Sequence, residues 1–569
     1  MRRLTMKSRL YPLARGTLPL GAVLVALLPL GVPAQTTPGA GTLLQQIPRS
    51  APAPAPAARP GLSIESESRG RLPPGAAFKV QAVQITGNTL FDGRTLYALV
   101  AQREGQELTL VQLQELADRI TNYYQRHGYP LARAIIPAQV IRNGIVVIEV
   151  LEARYDKISL DNRSPVSTPL LEDTLSPLRD GQFIAQAKLD HALLLLSDIP
   201  GVVVNANLRP GSSVGTSDLS VLAEAGPRVA GNVTLDNYGS RYTGRGRVGG
   251  LVYINNPLHH GDVLSLSGMT SEDRGMNYGR LSYETLLSGR GTRLGAAYAA
   301  LNYTLGNTLA TLQGHGDAEI SSLWVRHPLL RRGNASLHGQ LQYDQMRLRD
   351  RLGSSAIRTD RTVDNTTLSL SGDSRDTVLS GGINNWSVNW TTGQVNIEDP
   401  VARSVDAASA RTQGSYARWN AQLARLQDLG QDKALYLSLN GQWTQDNLDA
   451  SKKMAAGGPY TVRAYDVGAI SGDSGYFASV EYRHNLGPAW NGSWQLQVFV
   501  DSAQLEINRR PWAAGRNDAV LSGAGLGLSW SGKERWQAQA YIATPIGATP
   551  EQLAGQAATR GWINLTKGF

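Results

Sequence analysis

The chain has 569 residues, enough for two or three domains, and it contains no cysteine. Disulfide frameworks and zinc–thiolate sites are therefore excluded. Hydrophobic residues make up 41% of the chain and the mean hydropathy is −0.23. These values fit a soluble protein or a β-barrel, whereas a helical membrane protein would be more apolar.

The formal net charge of +9 is concentrated at the N-terminus. The first 34 residues hold five basic residues and no acid, so the charge falls from +9 to +4 without them. No stripe of Lys and Arg with interleaved aromatic residues follows. We therefore expect no nucleic-acid partner.

The N-terminal segment has the pattern of an export signal. A basic stretch ends at Arg15, mostly apolar residues follow at 18–32, and Val32-Pro33-Ala34 offers a cleavage position. A membrane anchor is the alternative, but a spanning helix needs roughly 20 apolar residues. Residues 1–34 are predicted to be a cleaved signal peptide, and any membrane residence must then come from strands.

Residues 35–50 contain a short predicted helix at 43–47. Residues 51–77 begin with APAPAPAARP and remain polar. Proline-rich segments of this kind are semi-rigid and extended, so this part is predicted to be a linker.

Residues 78–153 have the pattern of a small α/β domain. Alternation at 79–85 predicts a strand, and Thr109 with Gln112 predicts a capping box at the start of a helix. The helix is predicted to stop at Gly128. Asn143-Gly144 is a strong hairpin signal, so a pair of strands is predicted around it.

A second unit at residues 154–226 repeats this order with little shared sequence. Helices are predicted near 170–178 and at 185–198, and strands at 202–208 and 218–223. The chain is thus predicted to place two α/β units in tandem.

From residue 227 to residue 569 the sequence consists of short alternating strands separated by Gly, Asn and Asp. In residues 433–444 the apolar side chains fall on one face and the polar ones on the other; in residues 494–501, Phe499 and Asp501 share the polar face. A soluble sandwich also alternates. Strands of about ten residues, aromatic residues near strand ends and a Gln/Asn/Ser/Thr-rich polar face favour a membrane barrel.

About sixteen such segments can be counted, and the last ends on Phe569. A closed barrel is the strand architecture that leaves no unpaired backbone in lipid. The predicted fold is mainly β: a 16-stranded antiparallel transmembrane β-barrel preceded by two α/β domains.

At this point the chain resembles a known family over nearly its whole mature length. The segment from Gly128-Tyr129-Pro130 to Val150 resembles the first POTRA domain of two-partner secretion transporters (TpsB, ShlB/FhaC type), and residues 199–211 resemble the second. These transporters are relatives of the BamA outer-membrane assembly proteins. The resemblance implies two POTRA domains, at 78–153 and 154–226, before the barrel at 227–569.

Two barrel motifs carry the most specific resemblance. The family's VRGY loop motif is resembled by Val462, Arg463, Ala464 and Tyr465, and its F-x-D-x-G wall motif by Phe499, Asp501 and Ala503. Ala464 and Ala503 stand where the family has Gly, and an alanine disfavours positive φ.

The resemblance implies that Arg463 lies at the tip of the sixth extracellular loop and pairs with Asp501 on the lumen wall, in strand thirteen. The planar guanidinium suits bidentate contact with a carboxylate. The alternative is a loop arginine and a strand aspartate in water, a pair that contributes little.

Other motifs are interpreted as turns. Residues 244–249 match G-x-G-x-x-G but lie between two predicted barrel strands, whereas a dinucleotide site needs a buried strand and a helix. His259-His260 has no third ligand at suitable spacing. We therefore expect no catalytic residues, no metal site and no cofactor.

The resemblance implies an outer-membrane pore that moves a large unfolded exoprotein of haemolysin, adhesin or haem-binding type to the cell surface. The helix in residues 35–50 would plug the pore at rest. The expected partners are a TpsA-type exoprotein bound by the POTRA domains, outer-membrane lipid and lipopolysaccharide, and the barrel-assembly machinery through Phe569.

Three alternatives remain. A BamA-like assembly factor would normally bring more POTRA units, a simple porin would not need the N-terminal domains, and an enzyme would need a further domain. We therefore expect a transporter without enzymatic activity.

Overall fold

The computed structural model describes residues 38–47, 61–64, 76–548, 550–553 and 559–569. The predicted signal peptide and most of the predicted linker lie outside the described residues. Among the described residues, no helix is long and apolar enough to cross a membrane.

The first α/β unit follows two short N-terminal elements, α1 (Ala40–Leu44) and β1 (Gly61–Ile64). Its elements are β2 (Phe78–Lys79), β3 (Ala82–Thr86), α2 (Gly93–Tyr97), β4 (Glu107–Leu108), α3 (Leu110–Arg126), β5 (Arg133–Ile135) and β6 (Ile145–Leu151). Helix α3 begins with the predicted capping box, because Thr109 and Gln112 satisfy each other's backbone N–H groups. Its apolar face covers the β3-β6-β5 sheet.

The predicted pair of strands around Asn143-Gly144 is confirmed only in part: the two residues form a tight turn with an antiparallel bridge between Arg142 and Ile145, but only β6 continues from it as a strand. β6 pairs with β5 through Arg133↔Leu151 and Ile135↔Glu149, so residues 136–144 form a long connection and Asn143-Gly144 is only its final turn. The side chain of Gln139 hydrogen-bonds both the N–H and the C=O of Val147 at 2.8 Å. This amide replaces the backbone partner that a second hairpin strand would supply.

The junction after the first unit is built on a buried carboxylate. Glu152 accepts hydrogen bonds from the N–H and hydroxyl of Thr89, the N–H of Leu90 and the hydroxyl of Tyr124. Burial alone would raise the pKa of Glu152, but these hydrogen bonds outweigh it and lower the pKa below its usual value. The carboxylate thereby fixes the turn after β3 against α3 where the chain enters the second unit.

The second α/β unit contains β7 (Arg154–Arg163), α4 (Thr168–Leu175), α5 (Gln186–Ser197), β8 (Val202–Pro210) and β9 (Thr216–Ala225). Its sheet has the order β1-β8-β9-β7. β1 therefore comes from the predicted linker and pairs in parallel with β8, from Gly61↔Asn205 to Ile64↔Leu208. Leu62 packs against the core of this unit. Residues 61–64 were predicted to be part of a linker, and the structure shows that they form an edge strand of this sheet.

The rest of the chain forms a closed antiparallel barrel of sixteen strands, which confirms the predicted fold. The first eleven strands are β10 (Val229–Asp236), β11 (Arg247–Asn255), β12 (Val263–Ser271), β13 (Met276–Leu286), β14 (Arg293–Thr304), β15 (Gly314–Arg332), β16 (Ala335–Leu352), β17 (Ile357–Asp376), β18 (Gly382–Ile397), β19 (Gly414–Gly430) and β20 (Lys433–Thr444), with the loop helix α6 (Pro400–Ala408) after β18. After a small hairpin, β21 (Met454–Ala456) and β22 (Ile470–Gly472), the last five are β23 (Ser474–Ala489), β24 (Gly492–Glu506), β25 (Asp518–Gly532), β26 (Trp536–Pro545) and β27 (Arg560–Gly568).

The strands alternate between an outer apolar face and an inner face. On β14, Leu294 and Tyr298 are exposed, whereas Leu301 and Tyr303 are buried inside. The barrel closes where β10 pairs with β27, from Asn232↔Gly568 to Asp236↔Asn564. Several strands are longer than the predicted ten residues, and β17 reaches 20. Strands of this length extend beyond the thickness of a bilayer.

The second unit contacts one end of the barrel, which we call the proximal end. Asp173 accepts a hydrogen bond from the N–H of Gly289 at 2.6 Å, and Asp198 forms a bidentate ion pair with Arg331 at 2.7 and 2.8 Å. The turns at this end are short. The opposite, distal end carries the longer connections, including the one between β20 and β23.

Candidate functional site: an inner loop held in the barrel lumen

The connection between barrel strands eleven and twelve, residues 445–473, is called loop 6. It contains the β21–β22 hairpin, and its tip begins with Gly457 and Gly458, both at φ +104°. Side chains rarely adopt this conformation, so glycine permits the sharp turn. Val462, Arg463, Ala464 and Tyr465 follow the turn and are all buried.

Arg463 contacts the barrel wall through a bidentate ion pair. Its Nε and Nη2 atoms donate to the two carboxylate oxygens of Asp501, each at 2.9 Å, and its backbone N–H donates to the same carboxylate at 3.1 Å. Asp501 lies on β24, the thirteenth barrel strand, and is fully buried. The structure therefore brings together the two charged residues of the predicted site.

Two further wall residues, on β23, complete what we call the Arg463 network (Arg463, Asp501, Glu481 and Ser479). Glu481 accepts from Nη1 of Arg463 at 2.8 Å, and the Ser479 hydroxyl donates to Asp501 at 2.8 Å. Glu481 also accepts from Arg483 at 2.7 Å. Two arginines thus balance two carboxylates, and Arg463, Asp501 and Glu481 are buried away from bulk water.

Glu481 and Ser479 were not among the site residues predicted from the sequence. In the β23–β24 register, Ser479 lies opposite Asp501 and Glu481 lies opposite Phe499. The signal was available in the alternation of residues 474–489, but it required the register between these two strands.

Aromatic side chains enclose the guanidinium. The ring centroid of Phe499 is 3.3 Å from the Arg463 Cζ atom, and that of Tyr541 is 4.9 Å away. The indole N–H of Trp562, on the last strand, donates to the carbonyl oxygen of Arg463 at 2.7 Å. Cation–π contacts of this kind add to the ion pair when water is excluded.

The two alanines that replace glycine fit without positive φ, because neither Ala464 nor Ala503 adopts it. Ala464 instead depends on a glycine opposite. A Cβ atom at Gly523, on β25, would lie 2.5 Å from the Cβ of Ala464. The absence of a side chain at Gly523 makes room for the methyl group of Ala464.

A second ion cluster holds loop 6 next to the barrel seam, the position where β10 pairs with β27. Asp466 lies 2.9 Å from Arg560, on β27, and 3.2 Å from Arg245, in the connection that follows β10. These arginines belong to the last strand and to the loop after the first strand. Loop 6 therefore contacts both sides of the position where the barrel closes.

Helix α1 lies inside the lumen. Ala40 and Leu43 are buried among inward-facing residues of the barrel, and the N–H of Ala40 donates to Asp350 on β16 at 2.7 Å. The side chain of Gln45 donates to the carbonyl of Ala450, in loop 6, at 2.6 Å.

A chain of charges connects these two contacts. Asp350 lies 3.1 Å from Arg361 on β17, and Arg361 lies 2.8 Å from Asp449 in loop 6. Helix α1 therefore contacts the barrel wall at Asp350 and loop 6 at Ala450. Arg361 links Asp350 to Asp449, which lies beside Ala450 in the same loop.

The other sequence motifs lie in connections. Residues 244–249 run from the loop after β10 into β11. His259 lies in the turn between β11 and β12, where its Nδ1 atom is 2.7 Å from the carbonyl of Pro165. Among the described residues, no group of three or more His, Cys, Asp or Glu side chains could hold a metal ion.

Comparison with known proteins identifies the family. The model for the haemolysin secretion/activation protein ShlB/FhaC/HecB matches residues 215–530, more than half of the chain. The chain belongs to this family. The model for the ShlB-type POTRA domain matches residues 78–153, so the first α/β unit is a POTRA domain.

Individual relatives agree with this assignment. The heme/hemopexin transporter protein HuxB from Haemophilus influenzae (strain Rd) is 26% identical over 502 residues, which cover 87% of this chain and 88% of HuxB. The solved structure of CdiB from Escherichia coli has a TM-score of 0.68, 20% identity and coverage of 89% and 92%. BamA from Haemophilus ducreyi has a TM-score of 0.52 and 15% identity, with coverage of 86% and 100%. The two structural comparisons show the fold alone.

As a member of the ShlB/FhaC/HecB family, the chain is an outer-membrane pore of two-partner secretion. The barrel crosses the outer membrane and the POTRA region lies in the periplasm. The proximal end is therefore periplasmic, and loop 6 starts from the extracellular side before it enters the lumen.

The Gly523–Ala464 contact yields a test of the loop-tip geometry. Gly523→Ala places two methyl groups 2.5 Å apart, and overpacking of this kind typically costs about 1–3 kcal/mol. We expect the tip to shift and secretion to fall, and we expect Ala464→Gly in the same chain to restore it. Secretion is measured as exoprotein in the culture supernatant at equal barrel levels.

The matched control is Gly279→Ala on β13, where an added Cβ would meet no atom within 4 Å. It should secrete normally. A Gly523→Ala variant that secretes normally, or one that Ala464→Gly fails to restore, would contradict the assigned contact.

Proposed function

We propose that this transporter moves one large exoprotein, in unfolded form, from the periplasm to the cell surface, and that the structure is its closed resting form. The observation that carries the proposal is that loop 6 and helix α1 both occupy the lumen and contact each other there. A polypeptide cannot follow that path until at least one of them moves.

We further propose that the Arg463 network must open during transport. Removing one partner from a buried ion pair typically costs about 3–5 kcal/mol because the other charge remains without compensation. An incoming client must therefore contribute binding energy of this order, or supply polar groups of its own to Arg463 and Asp501. This requirement would keep the pore closed in the absence of a client.

The client is proposed to be of haemolysin, adhesin or haem-binding type. HuxB, which matches over 87% of the chain, is named for heme/hemopexin transport, so a haem-binding exoprotein is the first candidate. Transport requires no catalytic residue, and we propose no enzymatic activity. A BamA-like assembly factor remains the alternative, supported by a shared fold at 15% identity.

Two other partners are proposed from the barrel itself. Its apolar outer face would contact phospholipid and lipopolysaccharide. At the C-terminus, the N–H of Phe569 donates to the carbonyl of Gly231 at 3.0 Å, so the last residue pairs beside the first barrel strand. We propose that the barrel-assembly machinery recognises Phe569 before this pairing forms.

The client is proposed to bind the second α/β unit, which we assign as a second POTRA domain, by adding a strand to its sheet. Strand addition needs a sheet edge with unpaired backbone groups. The β8 edge of this sheet is paired in parallel with β1, residues 61–64. We propose that β1 occupies the edge at rest and that a client strand replaces it.

The first experiment compares surface and supernatant proteins of cells with and without this gene. We expect one large exoprotein to disappear while other outer-membrane barrels remain constant. Arg463→Ala should lose the same exoprotein because loop 6, without its ion pairs to Asp501 and Glu481, would no longer hold the channel conformation that accepts the client. The control variant is Arg516→Ala, whose ion pair with Asp518 is exposed at 3.5 Å and should contribute little.

A general decline of outer-membrane barrels, with no exoprotein singled out, would contradict the secretion proposal and favour an assembly factor. Normal secretion by Arg463→Ala at normal barrel levels would separate the Arg463 network from transport.

The second experiment tests the occupied edge with a disulfide. The chain has no cysteine, and Ser63 pairs with Asn207 across β1 and β8. Neighbouring strand positions fall within the Cα separation that a disulfide requires. In the oxidising periplasm, Ser63→Cys with Asn207→Cys should hold β1 on the edge and block secretion, and a reductant should restore it.

The control is Ser159→Cys with Ser220→Cys, a parallel β7–β9 pair of the same sheet with hydroxyl oxygens 3.4 Å apart. This disulfide leaves β1 free, so secretion should continue with and without reductant. If the Ser63–Asn207 disulfide forms and secretion is unaffected, the edge is not the client's binding site.

A further inference from the structure

A groove lies at the periplasmic rim of the barrel, between helix α5 and the end of strand β15. Its volume is about 340 Å³. The side chains that matter for its chemistry are Lys188 and His191 from α5, and Leu329, Leu330, Arg331 and Arg332 from β15.

The two walls of the groove are held together by polar contacts. The guanidinium of Arg331 pairs with Asp198, at the end of α5, at 2.7 and 2.8 Å. Arg293 donates to the backbone carbonyl of Asp198 at 3.3 Å, and His191 Nδ1 lies 3.4 Å from the carbonyl of Arg331. These contacts between protein atoms therefore fix the distance between helix α5 and the end of strand β15.

The groove carries uncompensated positive charge. Asp198 neutralises Arg331, and no carboxylate is among the described residues that line the groove. Lys188 and Arg332 are exposed, and across the segments that the structure describes neither has a carboxylate within ion-pair distance. Two cations, one on each wall, therefore line a groove that also contains the apolar side chains of Leu329 and Leu330.

The position of the groove relative to the membrane follows from the outer face of β15. Leu323, Val325 and Leu329 have exposed fractions of 53%, 39% and 56% and lead along the strand to the groove. Arg332 is the last residue of this strand, beside the turn that faces the second unit. The groove thus lies where the apolar band ends on the periplasmic side, at the level of phospholipid headgroups.

We propose that this groove binds the phosphate of an anionic phospholipid in the periplasmic leaflet of the outer membrane. Lys188 and Arg332 contact the phosphate from opposite walls, and an acyl chain lies along Leu329. Basic pockets at the membrane surface recognise anionic headgroups in this way, and arginine matches phosphate through its planar fork. The bound lipid bridges α5 and β15 and so stabilises the contact between the second unit and the proximal end of the barrel.

This inference rests on the outer-membrane location and is independent of the client. It is tested with the full-length transporter, delipidated in detergent and titrated with phosphatidylglycerol or phosphatidylcholine, with bound lipid counted by native mass spectrometry. We expect one phosphatidylglycerol to bind more tightly than phosphatidylcholine. Lys188→Gln with Arg332→Gln should weaken it by about tenfold or more, since each basic residue near the surface contributes on the order of 1 kcal/mol.

Two matched variants make the result specific. Lys433→Gln with Lys533→Gln removes the same charge from other exposed periplasmic turns and should bind phosphatidylglycerol normally. Lys188→Arg with Arg332→Lys retains both charges and should also bind, because recognition depends on the two positive charges.

Equal phosphatidylglycerol binding by all variants, or an equal loss in the Lys433/Lys533 control, would overturn the proposal. Soluble glycerophosphoglycerol and inorganic phosphate are added at matched concentration in a competition arm. The lipid should remain bound, because acyl contact with Leu329 contributes to its affinity. Complete displacement by inorganic phosphate would overturn the lipid assignment in favour of a free-phosphate site.

Discussion

The structure depends on one constraint: a guanidinium placed inside a barrel must be paired, because burying an isolated charge is prohibitively costly. Arg463 satisfies it with Asp501 and Glu481 from two neighbouring strands. Those strands must therefore keep their register, since a shift of either strand by one residue would turn its carboxylate to the lipid face. The ion pairs of Arg463 thus require both the position of loop 6 in the lumen and the inward orientation of alternate residues on β23 and β24.

The same loop connects otherwise separate parts of the molecule. Asp466 joins it to the last strand through Arg560, and Asp449 joins it through Arg361 to Asp350, the residue that contacts helix α1. A movement of loop 6 would disturb the seam of the barrel and the lumenal helix together. The contacts therefore link the helix, the loop and the barrel closure in one continuous set of ion pairs and hydrogen bonds.

Features that depend on local sequence were predictable. Strand alternation predicted the barrel, and Thr109 with Gln112 predicted the start of α3, because both patterns act within a few residues. Asn143-Gly144 predicted two strands, but only β6 forms, because the side chain of Gln139 takes the place of a strand beside Val147. The parallel pairing of β1 with β8 has no local signal, because its partners are far apart in the chain.

The functional site was also predictable only in part from local sequence. Arg463 and Asp501 were reached through a family resemblance, whereas Glu481 required a strand register and Asp350 required the position of α1 in the lumen. Ala464 in place of glycine suggested altered loop geometry, and its compensation at Gly523 lies on a strand that the motif does not include.

We propose that the pair of Arg463 with Asp501 holds loop 6 in the lumen and keeps the pore closed. Single-channel conductance of wild type, Arg463→Ala, Asp501→Ala and the double variant in planar bilayers tests it most directly. We expect each single variant to raise the open fraction and the double variant to raise it no further than the larger single effect. Closed channels in both single variants, or a double effect equal to the sum of the two on a free-energy scale, would contradict it.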